Sequence, residues 1–120
     1  MSELIKDPEA HVPLSPAVFN ILLALVDGDK HGYGIMLEVD ANTGGQVNMD
    51  PGTLYGSIKR MLKAGLICES DERQDPDLDD QRRRYYGLTE LGRKVLQAES
   101  QRLVNQVAVL QRKNVFESSG

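Results

Sequence analysis

Lys59, Arg60 and Lys63 stand at positions i, i+1 and i+4 of the sequence, so a helix carrying them presents three cations on one side. Cations in that arrangement neutralise phosphates, and an arginine among them reaches guanine edges. Arg82, Arg83 and Arg84 form a second basic group. In a strand, alternation sends one or two of these guanidiniums to solvent, where they contact phosphates or enter a minor groove, unless they pair with the acidic run that precedes them. Other reactive side chains assemble into nothing. His31 and Cys68 have no acid or serine at a spacing that would make a nucleophile, and with His11 they give no zinc pattern, so both read as packing residues. The glycines from Gly28 to Gly34 lack the GxxxxGK[ST] pattern and a preceding strand, and fit turn geometry instead. Asp75 to Asp80 lacks the glycine and closing glutamate of a calcium loop and reads as a solvated tip. The expectation is a protein with no catalytic residues, no metal and no cofactor.

Net charge at first opposes a polyanionic partner, because the 120-residue chain carries −4. The charge is segregated, however. Glu69 to Asp80 holds seven acidic residues against Arg73, whereas Gly52 to Leu66 carries Lys59, Arg60 and Lys63 and no acid. A hydrophobic fraction of 40% and a charged fraction of 27% suit one globular domain with a long element left over. The longest apolar run, Ile21 to Val26, is too short to span a bilayer, and residues 1–13 lack a secretory pattern, so the expectation is a cytoplasmic protein without membrane contact.

The cations need elements to hold them. Ser15-Pro16 supplies a cap and a first-turn proline for a helix from about Pro16 to Val26, stopped at Asp27-Gly28-Asp29. A second helix opens around His31 and ends at Thr43-Gly44-Gly45. Asp50-Pro51 repeats the start signal, and the third helix runs from Pro51 to Ala64 with Gly65 as its stop. Leu66 to Glu72 and Arg82 to Leu88 suit two strands of a hairpin with a long polar tip. Thr89 then caps a final helix whose Leu91, Val95, Leu96, Leu103, Val107 and Leu110 keep near-heptad spacing.

Three helices followed by a hairpin is the order of a winged helix-turn-helix, mainly α (α+β), here with a long C-terminal dimerisation helix. The expected divisions are a tail over 1–13, with a short turn that packs on a partner, a winged-helix domain over 14–88, the dimerisation helix over 89–116 and a frayed end over 117–120. On a wheel of the third helix, Leu54, Ile58, Met61 and Leu62 anchor one side, and Thr53, Gly56, Lys59, Arg60 and Lys63 occupy the other. The outer side suits a major groove, with Gly56 letting the backbone approach and the helix start offering free amides to phosphate. An ordinary solvated face fits the same charges. The final helix exposes a stripe that one small domain cannot cover, so a homodimer through Leu96, Leu103, Val107 and Leu110 is expected, reading a pseudo-palindromic operator in double-stranded DNA. A different reading is a winged helix that docks a protein through its acidic hairpin and binds no DNA. Val18, Phe19 and Val107 are either the lining of an effector pocket or core.

Four blocks carry a resemblance: His31-Gly32-Tyr33-Gly34-Ile35-Met36, Pro51-Gly52-Thr53-Leu54-Tyr55, Gly65-Leu66-Ile67, and Arg84-Tyr85-Tyr86-Gly87-Leu88-Thr89-Glu90-Leu91-Gly92. In this order and separation, from about Leu14 to Leu103, the chain resembles the PadR family of bacterial transcriptional regulators, in a short form with a single C-terminal dimerisation helix. The resemblance implies an N-terminal winged helix, a dimerisation helix, and usually repression relieved by a small, often aromatic or amphipathic, effector whose identity it does not give. Carried over by position, it puts Tyr33, Thr53, Tyr55, Arg60 and the basic wing strand in the DNA-facing set. Tyr55, at the edge of the buried side, instead buttresses the second helix in an alternative placement. The chain has no tryptophan, so a pocket of stacked indoles at the dimer interface is not available.

Overall fold

A computed structural model describes residues 7–70 and 84–116. Its helices begin where side chains can take up the free amides of a first turn. Ser15 Oγ accepts from Val18 N–H at 3.2 Å and opens α1, Pro16–Ala24. His31 Nδ1 accepts from Gly34 N–H at 3.0 Å and opens α2, Gly32–Thr43. Asp50 opens α3, Pro51–Ala64, and Thr89 opens α4, Glu90–Arg112. The stops are equally local. Gly44 and Gly65 take left-handed φ values of 60° and 80°, which end α2 and α3 at no steric cost. Lys30 Nζ reaches the Ala24 carbonyl at 2.7 Å and satisfies the end of α1.

Strands β1 (Lys30–His31), β2 (Ile67–Ser70) and β3 (Tyr85–Leu88) form an antiparallel sheet in the order β1-β3-β2. Ile67 pairs with Leu88 and Ser70 with Tyr85, while His31 pairs with Tyr85 from the other side. The hairpin was expected, but β1 was not. At two residues it has no periodicity to detect, and it forms because the residue that caps α2 also lies against β3. Helices α1, α2 and α3 pack mutually, and α1 also packs on α4. Ile21, Leu22, Ile35, Leu54, Ile58, Met61, Ile67 and Val95 are buried at the centre. The architecture is the expected winged helix, mainly helical with a small sheet.

The described part of the expected tail holds a regular element. A 3-10 turn, Pro8–His11, capped by Asp7, packs against α4 of its own chain. Glu99 of α4 lies under the same segment, 3% exposed. Arg102 clasps it with two hydrogen bonds, Nε to Oε1 at 2.8 Å and Nη2 to Oε2 at 2.9 Å. That guanidinium, helped by the Leu14 backbone N–H, holds the Glu99 carboxyl below the usual glutamate range against the opposing effect of burial. A carboxyl whose affinity for protons falls on folding stabilises the fold above its unfolded pKa, about 4.3, and that contribution is lost as pH falls through the lower folded value. Thermal melts should therefore show the melting temperature dropping below about pH 4.3, and Glu99→Gln should flatten that drop while costing about 1.5–3 kcal/mol at pH 7. An unchanged acid limb in the variant would remove Glu99 from this role.

Candidate nucleic-acid interface

Helix α3 divides as its wheel predicts. Leu54, Ile58 and Met61 are at most 2% exposed, and Leu62 is half-buried. On the opposite side Thr53, Lys59, Arg60 and Lys63 are exposed, with Gly56 half-buried between them. Lys59 and Lys63 make no ion pair or hydrogen bond through their ammonium groups among the described residues, so both charges are available to a ligand. Arg60 folds back along its own helix, donating from Nη2 to Ser57 Oγ at 3.2 Å. Ser57 is fully buried, and nothing in the apolar pattern marked it.

The helix start differs from expectation. Asp50 Oδ1 accepts from Thr53 N–H at 2.7 Å, and the bonds from the Thr53 and Gly52 amides hold the Asp50 carboxyl below its ordinary range. The amides expected to face phosphate are thus taken by a carboxylate of the same chain, which adds a negative charge at that end.

The tyrosines occupy one corner where α2 and α3 meet. Tyr33 is 62% exposed and Tyr55 is 37% exposed. The Tyr55 ring lies over Gly32, so close that a β-carbon there would collide with the phenol oxygen and stand 2.9 Å from Cε1. Tyr55 therefore buttresses α2 at Gly32, the residue that precedes Tyr33, while part of its side chain stays in solvent. His31 caps α2 and meets Tyr85 edge-on, with ring centroids 5.4 Å apart at 74°. Cys68 is a free, exposed thiol on β2. Among the described residues no group of three or more His, Cys, Asp or Glu could hold a metal.

On the hairpin, Arg84 Nη1 meets Glu69 Oε2 at 3.0 Å, both side chains being largely exposed. An exposed pair of this kind is worth about 0–1 kcal/mol, little enough to be exchanged for a phosphate. Arg82, Arg83 and the acidic tip at Asp75 to Asp80 lie outside the described residues. Along α4 the expected stripe splits. Leu96 is 8% exposed and belongs to the core of the chain, because the first half of α4 packs on α1 and the sheet. Leu103, Val107 and Leu110 remain exposed, joined by Val104. A cavity of about 210 Å³ lies between the N-terminal segment and α3, lined by Pro13, Leu14, Val18, Arg60 and Met61 among others. Of the three residues considered for a pocket, Val18 lines this one, Phe19 packs against the core and Val107 is exposed on α4.

Residues 21–98 match the family model described as the transcriptional regulator PadR-like family. A transcriptional regulator from Clostridium thermocellum is similar in structure, with a TM-score of 0.65 and 25% identity over 80% of this chain and 87% of that one. A PadR family transcription regulator from Clostridium difficile gives a TM-score of 0.65 and 26% identity over 82% of this chain and 97% of that one. An uncharacterized 37.1 kDa protein in a transposon of Streptomyces fradiae is 32% identical over 80 residues, 67% of this chain; that stretch is 21% of the relative's length, so the chain spans about a fifth of it.

The tyrosine corner is open to a direct test. Gly32→Ala should destabilise by about 1–3 kcal/mol in urea unfolding, since the added carbon meets a seated ring. Removing that ring with Tyr55→Ala should make the double variant less costly than the sum of the two single changes, and simple additivity would show that the ring does not rest there.

Proposed function

The chain belongs to the transcriptional regulator PadR-like family, and on that premise we propose that it is a sequence-specific DNA-binding repressor, acting as a homodimer on a pseudo-palindromic operator and relieved by a small effector. One observation carries the reading. The outward side of α3 is polar, exposed and positively charged, with Lys59 and Lys63 unpaired among the described residues, while its inward side is locked in the core. Such a helix can enter a major groove without disturbing the fold behind it.

In this reading Lys59 and Lys63 bind phosphates, and Arg60 exchanges its weak bond to Ser57 for a base edge or a phosphate. Thr53, Gly56, Tyr33 and the free edge of Tyr55 complete the contact, with Arg84, Arg82 and Arg83 supplied by the wing. The leucines and valines of the distal part of α4, at Leu103, Val104, Val107 and Leu110, are only partly covered among the described residues and suit a second copy of the same helix. The cavity beside Arg60 gives an effector room next to the reading helix. No helix among the described residues is long and apolar enough to cross a membrane; the proposal is of a regulator that works in the cytoplasm and catalyses no reaction.

Mobility shifts of the protein on its own upstream DNA, run over a series of salt concentrations, test the reading. Wild type should bind with steep salt dependence, and the combined Lys59→Ala, Arg60→Ala and Lys63→Ala variant should lose binding at least about tenfold, with the log–log salt slope shallower by about 0.9 for each phosphate contact removed. Equal binding by the variant would show that α3 is not the reader. Retention of a protein partner through the acidic hairpin, with no duplex bound at any salt, would favour the docking reading instead.

A further inference from the structure

We propose that the junction between the end of α3 and the start of α4, centred on Thr89 and Gly92, is the positioning element that fixes which spacing of two operator half-sites the protein accepts. This rests on the dimeric, operator-binding reading above. In such a dimer the two reading helices belong to different protomers, and the distance and rotation between them depend on how rigidly each α3 is joined to its own α4.

Gly65 at the end of α3 and Thr89 at the start of α4 are 24 residues apart, separated in sequence by the whole hairpin, yet they meet directly. Thr89 Oγ1 donates to the Gly65 carbonyl at 2.6 Å and accepts from Gly92 N–H at 3.0 Å. Thr89 N–H donates to the Leu66 carbonyl at 3.2 Å. One side chain thus closes the C-terminus of α3 and opens α4. Gly92 removes the remaining clearance, because a β-carbon there would collide with the Leu66 carbonyl oxygen and stand 3.0 Å from the carbonyl carbon. This contact is backbone on backbone, with no flexible side chain to absorb a displacement. Elsewhere α3 and α4 share little contact, and the remaining links between them run through α1, which packs on both, and through the sheet, whose β2 packs on α3 and β3 on α4.

The leverage is large. Helix α4 has 23 residues and is about 34 Å long, so a tilt of about 6° at the junction moves its far end by about 3.5 Å, one base-pair step. A change too small to disturb the core is enough to change which half-site spacing both reading helices can meet.

The test starts from an operator recovered by wild type from a pool of random duplexes. One base pair is then inserted or removed between its half-sites, which rotates one against the other by about 34°. Wild type should lose about tenfold or more in affinity at each altered spacing, a loss of the size a mismatched site produces. Thr89→Val, which keeps the shape and removes both side-chain bonds, should narrow that loss to about threefold while remaining folded and dimeric by light scattering. Thr89→Ser should restore the discrimination. Thr43→Val removes an equivalent pair of side-chain bonds at the end of α2, to the Val39 carbonyl and from the Val47 N–H, and should leave the discrimination intact. Gly92→Ala, which favours the helix but pushes it off Leu66, should shift the preferred spacing and serves if Thr89→Val does not fold. A folded, dimeric Thr89→Val or Gly92→Ala protein that discriminates as sharply as wild type, with the same preference, overturns this proposal alone, as does equal relaxation in Thr43→Val. Failure of wild type to retain any duplex overturns the operator reading and this proposal with it.

Discussion

A helix can offer one side to a ligand only if its other side is fixed, and in this chain the fixing contact is the burial of Leu54, Ile58 and Met61 of α3 against α1 and α2. Three side chains of this size, fully removed from water, contribute about 1.5–3 kcal/mol each, which outweighs any single polar contact the helix makes. The same burial dictates where every other residue of the helix points. With 3.6 residues per turn, positions 53, 56, 59, 60 and 63 have no route inward. The cations of the chain are therefore displayed by the core, and their usefulness to a duplex follows from where the leucine and isoleucine lie.

Net charge is a poor guide to what this surface can bind. The −4 total is dominated by acids gathered between Glu69 and Asp80, whereas the outer side of α3 bears three cations and no acid. At an ionic strength near physiological, charges further apart than about 8 Å are largely screened, so a phosphate at α3 responds to the local set. Among the described residues, Asp50 and Glu69 lie close to the basic surfaces. Asp50 occupies the start of α3 as its cap, and Glu69 engages Arg84 on the hairpin. The first belongs to the helix and stays, and the second is an exposed pair weak enough to open.

Legibility in the sequence followed the range of the interactions. Helix starts at Ser15, Asp50 and Thr89 were readable because a cap is a contact within three residues, and the stops at Gly44 and Gly65 because a left-handed backbone asks for glycine. The sides of α3 were readable because burial repeats with the helical period. What escaped depends on contacts across long separations. Strand β1 exists only through β3, some 55 residues later. Leu96 sits on the same stripe as Leu103, and only the tertiary packing of α1 against the first half of α4 shows that one is covered and the other is not. Buried Ser57 and buried Glu99 look like surface residues by type, and each is reconciled by an arginine three positions further on, Arg60 and Arg102. That spacing is a signal a closer reading of the sequence could use. Tyr55 was readable as a choice between two roles, and the absent side chain of Gly32 lets the ring rest on α2 with an edge still exposed.

The most direct measurement of the central claim is residue-by-residue NMR of the isotope-labelled protein, alone and with the duplex it selects. The account predicts that backbone and side-chain signals of Thr53, Gly56, Lys59, Arg60 and Lys63 shift on binding, with Leu54, Ile58 and Met61 keeping their protection from exchange. Shifts confined to α4 or to the hairpin, with the outer side of α3 unmoved, would contradict it.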